Sequence, residues 1–197
     1  MGTRGLWGIR KNNVDKAAYN HYDSYPSYLG YKIIDFVKAH TTDELSNIFE
    51  NIILVNEDDK PNLEQIEECS AYLNLEVSNR DATDWYCLLR GAQGKPEEYA
   101  KGLKYMADYI DFIEDSLFCE FAYLVNLDNE TLEYWVGYQK KPDAMNRYGT
   151  ENPDKFYPCK LLKAYDLQYV REAESKGIVY EMFKLARDDE EYNSNIL

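Results

Sequence analysis

The stretch EFAYLVNLDNETLEYWV, residues 120–136, decides the fold of this 197-residue chain. Aromatic and β-branched residues fill both of its halves, as they do in strands. Between the halves, residues 126–130 contain Asp-Asn, and both residue types accept the left-handed backbone conformation that a tight turn requires. The pattern therefore predicts a β-hairpin.

A second β-hairpin is predicted at the N-terminus. Residues 6–10 and 17–22 have a strand-like composition. The segment 11–15 between them contains two asparagines, which favour a turn. We expect this hairpin to pair with the 120–136 hairpin or to lie beside it.

Helical patterns fill the middle of the chain. Apolar residues recur at helical spacing in 29–40 and in 96–118, and the longer segment predicts one continuous apolar helix face. Thr41 and Glu44 fit a capping box that opens another helix. The apolar run 52–55 that follows is compatible with the last turn of this helix or with a buried strand.

Residues 160–165 predict a further strand and 170–187 a helix, after which the acidic tail from about residue 188 is expected to fray. Predicted strands thus cluster near the two ends of the chain, and this segregation is typical of α+β proteins. We predict a single α+β domain over 1–197. Its largely antiparallel sheet is built from the N-terminal hairpin and the 120–136 hairpin, with a central helical region packed on it.

The charge balance excludes several functions. Lys and Arg number 22 and Asp and Glu number 36, giving a net charge of −14, whereas a protein that follows nucleic-acid phosphates needs a basic surface. No apolar run approaches the roughly 18 residues that span a bilayer, and the N-terminus lacks the pattern of a secretory signal. We expect a cytoplasmic protein (in the host cytoplasm if a phage encodes it) with no direct nucleic-acid partner and no membrane partner.

No cofactor or metal ion is predicted. The chain has two histidines, and its four cysteines lie too far apart for the paired spacing of structural zinc sites. The acidic segment 56–60 lacks the glycine and the terminal glutamate of a calcium-binding loop. Apolar neighbours predict buried thiols for the four cysteines, Cys69, Cys87, Cys119 and Cys159.

Acidic residues are concentrated in 43–68, which contains nine carboxylates and a single base, Lys60. Within this segment Glu57, Asp58 and Asp59 are consecutive and predict an interaction face for a protein with a basic surface. A solvated surface is the alternative explanation of such a run. The 19 tyrosines of the chain favour binding, because tyrosine offers contact area and a polar tip at low entropic cost.

Six polar residues lie at one end of the N-terminal hairpin: Thr3 and Arg4 before its first strand, and Asn20, His21, Asp23 and Ser24 at the end of its second. The start of one antiparallel strand lies opposite the end of the next, so we expect one patch, with Arg4 within ion-pair or one-water distance of Asp23. Such a patch could bind a small anionic ligand through Arg4. Asp23 could orient His21, and either of the two could transfer protons. Alternatively, it is a structural network that satisfies the loop backbone.

The same patch carries a resemblance to a known family. The motifs Met-Gly-Thr-Arg-Gly at 1–5, Tyr-Asn-His-Tyr-Asp-Ser-Tyr-Pro at 19–26 and Leu-Gly at 29–30 resemble an uncharacterised family found in phages, bacteria and fungi. The family has no established activity, but the resemblance implies that this patch is its defining feature. Together with the acidic composition, the resemblance implies a phage-type accessory protein that acts by binding. Inhibition of a host defence protein is its most concrete form.

The opening of the chain is also similar to that of N-terminal-nucleophile amidohydrolases, whose second strand often ends in Asn-x-x-Asp, as at Asn20 and Asp23. Those enzymes carry a cysteine nucleophile after the initiator methionine, whereas residue 2 here is glycine. This similarity implies an inactive relative or one that uses another group. The alternative function is therefore an amidohydrolase-like or small-ligand-binding protein that uses Thr3 and Arg4 with these two residues. We expect a binding protein rather than an enzyme and assign no catalytic residue.

Overall fold

The computed structural model describes residues 2–150 and 156–194 of the chain. Its strands are β1 (Gly5–Lys11), β2 (Val14–Asn20), β3 (Ile53–Val55), β4 (Tyr105–Ala107), β5 (Phe121–Asn126), β6 (Thr131–Val136) and β7 (Lys160–Asp166). Its α-helices are α1 (Tyr31–Ala39), α2 (Thr42–Asn51), α3 (Leu63–Cys69), α4 (Trp85–Leu88), α5 (Pro96–Ala100), α6 (Leu167–Glu172) and α7 (Ser175–Ser194). Short 3₁₀ turns lie at Ser70–Tyr72, Arg90–Ala92 and Ile110–Glu114, and a π-helical turn lies at Pro26–Gly30. One five-stranded sheet has the order β2-β1-β5-β6-β7, and β3 and β4 form a separate pair.

Both predicted hairpins are present, and the α+β class is confirmed. β1 pairs with β2 and β5 pairs with β6, in each case antiparallel. In the first turn Asn12 and Asn13 have φ angles of 53° and 61°, which asparagine accepts more readily than most residues. The two hairpins are joined by parallel pairing of β1 with β5, so the sheet is mostly, but not entirely, antiparallel.

The two faces of the sheet are buried by different parts of the chain. One face packs against the helices and contributes Trp7, Tyr123 and Tyr134 to the main core. The other face belongs to a smaller core formed by Leu6, Ala17, Ile113, Cys119, Ala122, Leu124, Trp135 and Cys159. Because both faces are covered, the central strands are apolar on both sides. The prediction that the four cysteines are buried is confirmed.

The helices predicted after the first hairpin are present as α1 and α2. Thr41 caps α2, since its hydroxyl accepts from the Glu44 N–H at 3.2 Å and the Glu44 carboxylate accepts from the Thr41 N–H at 2.7 Å. The alternatives for 52–55 are resolved in favour of a strand, because β3 pairs in parallel with β4.

The continuous helix predicted over 96–118 is wrong. This segment instead forms α5, β4 and the 3₁₀ turn at Ile110–Glu114. Gly102, with a φ angle of 112°, ends the helical conformation soon after α5, and the backbone of β4 pairs with β3. Met106 and Ile113 are fully buried, so these apolar residues reach the cores without a continuous helix.

α7 continues to Ser194, past residue 188, from which the acidic tail was expected to fray. Asp189 is buried, and its carboxylate accepts from Gln139 Nε2 at 2.7 Å and from Lys160 Nζ at 2.8 Å. These partners come from distant segments and hold the end of the helix against the sheet. Upstream, the single helix predicted over 170–187 is divided into α6 and α7.

Candidate functional site

Antiparallel pairing brings the two ends of the predicted N-terminal patch together. Gly5 lies opposite Asn20 in the β1–β2 register. Just outside the pairing, the Ser24 N–H donates to the Thr3 carbonyl at 3.1 Å. The backbone segments that carry the patch residues are therefore adjacent, at the start of β1 and the end of β2. Their side chains, however, lie in different environments.

Asn20 and Ser24 form a buried structural network. The Asn20 amide donates to the Ser24 hydroxyl at 2.8 Å and to the Tyr22 carbonyl at 2.5 Å. The Ser24 carbonyl in turn accepts from the Tyr123 hydroxyl at 2.9 Å. Since buried polar groups are costly unless they are hydrogen-bonded, these contacts hold the loop after β2 against β5.

Arg4 and Asp23 do not form a direct ion pair. The Arg4 guanidinium lies 5.1 Å from the centre of the Phe118 ring, and the Arg4 N–H donates to Glu120 Oε1 at 3.1 Å. Asp23 instead lines a surface cleft together with Asn20. The structure thus divides the patch between a buried network, an aromatic contact and a cleft.

His21 lies in an aromatic cluster that favours its neutral form. Its Nδ1 atom is 2.8 Å from the Tyr19 hydroxyl and 3.4 Å from the Tyr86 hydroxyl. Burial lowers the pKa of His21, and the positive charges of Arg90 and Arg4 lower it further. A neutral ring allows Nδ1 to accept a hydrogen bond from the Tyr19 hydroxyl.

This environment predicts that stability decreases on mild acidification. A histidine whose pKa is lower in the folded state binds more protons when unfolded, so the free energy of unfolding falls as the pH drops through and below about 6.5. We expect the wild-type protein to lose more stability than His21→Gln between about pH 7 and pH 5. Urea denaturation of both proteins across this range measures the difference, and two parallel curves would contradict the prediction.

A second polar cluster, which was not predicted from the sequence, is buried around Glu133 in β6, beside Trp135 of the smaller core. Glu133 is 3% exposed and accepts two hydrogen bonds from Arg147, at 2.9 and 2.6 Å. Its oxygens also accept from Asn126 Nδ2 at 2.8 Å and from Trp135 Nε1 at 3.0 Å. Both oxygens of the Glu133 carboxylate thus accept hydrogen bonds from other side chains of the protein. The cluster is therefore structural, and it attaches the segment around Arg147 to the sheet.

Asp15 lies beside this cluster and pairs with Arg10. Burial raises the pKa of Asp15, although the positive charges of Arg10 and Arg147 oppose the rise. An isolated acidic residue in a strand gives no sequence signal for such a cluster. The large apolar Trp135, two positions after Glu133 and so on the same side of the strand, was the only available indication that this side is covered.

The acidic face predicted at Glu57–Asp59 is joined by a second acidic segment. β3 and β4 are parallel, so the chain leaves both strands at the same edge, and the Asp108 N–H donates to the Val55 carbonyl at 3.0 Å. We call the group of exposed carboxylates at this edge the acidic edge; its members are Glu57, Asp58, Asp59, Asp108 and Asp111.

Asn56 fixes the turn at the acidic edge. Its side-chain oxygen accepts from the Asp58 N–H at 3.0 Å, and its carbonyl accepts from the Asp59 N–H at 3.1 Å. A groove of about 310 Å³ lies beside the turn, with Asp108 and Asp111 in its lining. The acidic edge is therefore a shaped surface rather than a loose run of charges.

Electrostatic repulsion is present at the acidic edge. Partial burial of the carboxylate raises the pKa of Asp108, and a hydrogen bond from the Ile110 N–H opposes this rise. The negative charge of Asp111 raises the pKa of Asp108 further. Glu57 adds to the effect of burial in raising the pKa of Tyr109. No ion pair within 4.0 Å joins an acidic-edge carboxylate to a Lys or Arg in the described ranges.

Comparison with known proteins gives no relative: no family model, no characterised protein and no solved structure matches this chain. Within residues 2–150 and 156–194, no helix is long and apolar enough to cross a membrane. The same residues contain no group of three or more His, Cys, Asp or Glu side chains placed to hold a metal ion. The geometry of the chain's own surfaces therefore carries the functional argument.

Proposed function

We propose that this protein acts by binding, and that the acidic edge contacts a basic surface on a partner protein. One observation carries the proposal: parallel pairing of β3 with β4 brings the acidic turn after β3 beside a groove that Asp108 and Asp111 line. A Lys or Arg side chain entering this groove would offset the repulsion between Asp108 and Asp111. It would also donate charge-assisted hydrogen bonds to their carboxylates.

The most concrete form of this proposal is inhibition of a host defence protein by a phage-type accessory protein. The net charge of −14 supports it, because an acidic protein can cover a basic groove that normally receives nucleic acid. The resemblance of the motifs at 1–5 and 19–26 to a phage-containing family also supports it. Hydrolysis by an N-terminal nucleophile is not part of the proposal, since the side chain of Gly2 supplies no nucleophile.

The test is a triple charge reversal at the acidic edge, Glu57→Lys, Asp58→Lys and Asp59→Lys. All three side chains are exposed, so the variant should fold. With an immobilised Arg- and Lys-rich peptide as the probe, we expect association to slow by about tenfold at low salt, because steering between opposite charges mainly sets the association rate. The difference should shrink at high salt, since the Debye length is already roughly 8 Å at 0.15 M. Surface plasmon resonance at two salt concentrations measures both effects.

A matched control separates the acidic edge from the total charge. Asp188→Lys, Glu190→Lys and Glu191→Lys make the same change in net charge on exposed positions of α7. We expect this control, and the single variant Asp23→Ala, to retain most of the wild-type association rate. Equal slowing by the two triple variants, or binding that does not depend on salt, would refute the assignment of the acidic edge.

A further inference from the structure

A cleft of about 340 Å³ opens beside the N-terminal patch. Its walls come from the loop after β2, the start of α1 and the segment 90–95 that follows α4. The volume is within the range of about 300–1,000 Å³ that is usual for small-molecule sites. The cleft therefore has room for a small ligand.

The charge of the cleft is opposite to that of the chain. Its lining contains three cationic side chains, Lys32, Arg90 and Lys95, and one carboxylate, Asp23, whereas the whole chain carries a net charge of −14. No ion pair within 4.0 Å joins any of the three cations to a carboxylate among the described residues. Their positive charge is thus available to an anion.

Two of the cations are held in place by contacts that leave donors free. The Arg90 guanidinium lies over the Tyr22 and Tyr86 rings, at 5.1 and 5.5 Å, and donates to Gln93 Oε1. A guanidinium has five N–H donors, so others remain for a ligand. Lys32 Nζ donates to the Gly94 carbonyl at 3.1 Å. Such positioning reduces the entropy that a ligand contact must overcome.

The backbone of the segment 90–95 approaches the loop after β2 closely. Gly94 has a φ angle of 64°, and a Cβ atom added there would lie 2.5 Å from Asn20 Oδ1. Only glycine meets both requirements without strain. Asn20, predicted from the sequence to share a patch with Arg4, thus lies against this glycine, and both residues line the cleft.

We infer that this cleft binds a nucleoside monophosphate. The three cations suit the phosphate dianion, because Arg and Lys make the strongest hydrogen bonds to phosphate oxygens. Tyr22 and Tyr28 line the cleft with 54% and 47% of their surface exposed. Arg90 lies over the Tyr22 ring and Lys32 over the Tyr28 ring, so a planar base would contact the exposed remainder of each ring, beside the cation that holds the phosphate. Asp23 repels an isolated anion but can accept a hydrogen bond from a ribose hydroxyl, so it favours the nucleotide over inorganic phosphate.

Isothermal titration of the full chain with AMP tests this inference. We expect saturable binding by the wild-type protein and weaker binding of both adenosine and inorganic phosphate, since each lacks part of the contacts. Lys95→Glu should weaken AMP affinity by about tenfold or more, because it replaces an attraction with a repulsion at an exposed position.

Lys184→Glu is the matched control, because it makes the same charge change at an exposed position of α7. We expect it to leave AMP affinity within about twofold of the wild-type value. A twofold change in affinity corresponds to less than half of the binding free energy of a tenfold change, so the two variants can be told apart. The inference is overturned if AMP gives no saturable binding. It is also overturned if the two variants weaken binding equally, or if inorganic phosphate binds as tightly as AMP.

Discussion

Arg147→Ala is expected to lower the free energy of unfolding by about 3 kcal/mol or more, because it leaves the buried Glu133 carboxylate without its cationic partner. The Arg147 side chain is 25% exposed and that of Glu133 is 4% exposed, so the cost falls mainly on the acid. The guanidinium also lies 4.7 Å from the Trp135 ring and 4.7 Å from the Tyr148 ring. The variant therefore loses packing as well as charge.

Urea denaturation of four proteins measures this effect: the wild type, Arg147→Ala, Glu133→Gln and the double variant. In the Glu133→Gln background the same alanine substitution should cost much less, since no buried negative charge remains to be compensated. A loss below about 1 kcal/mol for Arg147→Ala, in the range of exposed salt bridges, would show that the pair is effectively solvated. An equal loss in both backgrounds would show that packing alone is responsible.

Gly5→Ala is expected to destabilise the protein by about 3 kcal/mol or more, at the upper end of overpacking effects. A Cβ atom at position 5 would lie 2.1 Å from the Phe121 carbonyl oxygen and 2.8 Å from Ser24 Cβ. Neither neighbour can move easily, because Phe121 pairs with Gly5 in the sheet and Ser24 is fully buried. The strand β1 would have to shift between its two partners.

Gly177→Ala is the matched control for this substitution. Gly177 lies in α7, and a Cβ atom there would meet nothing within 4 Å. Because alanine favours the helix over glycine, this change should stabilise the protein by about 0.5–1 kcal/mol. Thermal or urea unfolding of both variants gives the comparison, and a Gly5→Ala protein as stable as the wild type would contradict the close approach of β1 to β5.

These contacts give a physical reason for the motifs at the N-terminus. Gly5 leaves room for Ser24, and a Cβ atom at Gly30 would lie 2.9 Å from the Tyr123 ring. The Tyr123 hydroxyl in turn donates to the Ser24 carbonyl. Much of the motif that the sequence analysis interpreted as a candidate site therefore fixes the loop after β2 against β5. The polar side chains that a ligand can reach are instead those of the cleft beside this loop, among them Asp23 and Arg90.

Local patterns in the sequence were sufficient to predict both hairpins, the capped helix α2 and the strand β7. Each depends on residues close together in the chain: asparagines in a turn, a Thr-Glu capping pair, or alternating apolar residues. The segment 96–118 shows where such patterns fail. Its apolar spacing suited a helix, but the pairing of β4 with β3, a strand about 50 positions earlier, determined its conformation.

The sequence by itself therefore determined the α+β class, the net acidity and the main elements, because propensity, turn chemistry and charge are properties of residues and near neighbours. Only the tertiary structure decided the parallel joining of β1 to β5, the acidic edge, the Glu133–Arg147 pair and the cationic cleft. The cleft combines Asp23, Lys32 and Arg90 from three separate segments. Side chains so far apart in the chain become neighbours only when burial of the apolar cores fixes the segments that carry them, and no local pattern records that pairing.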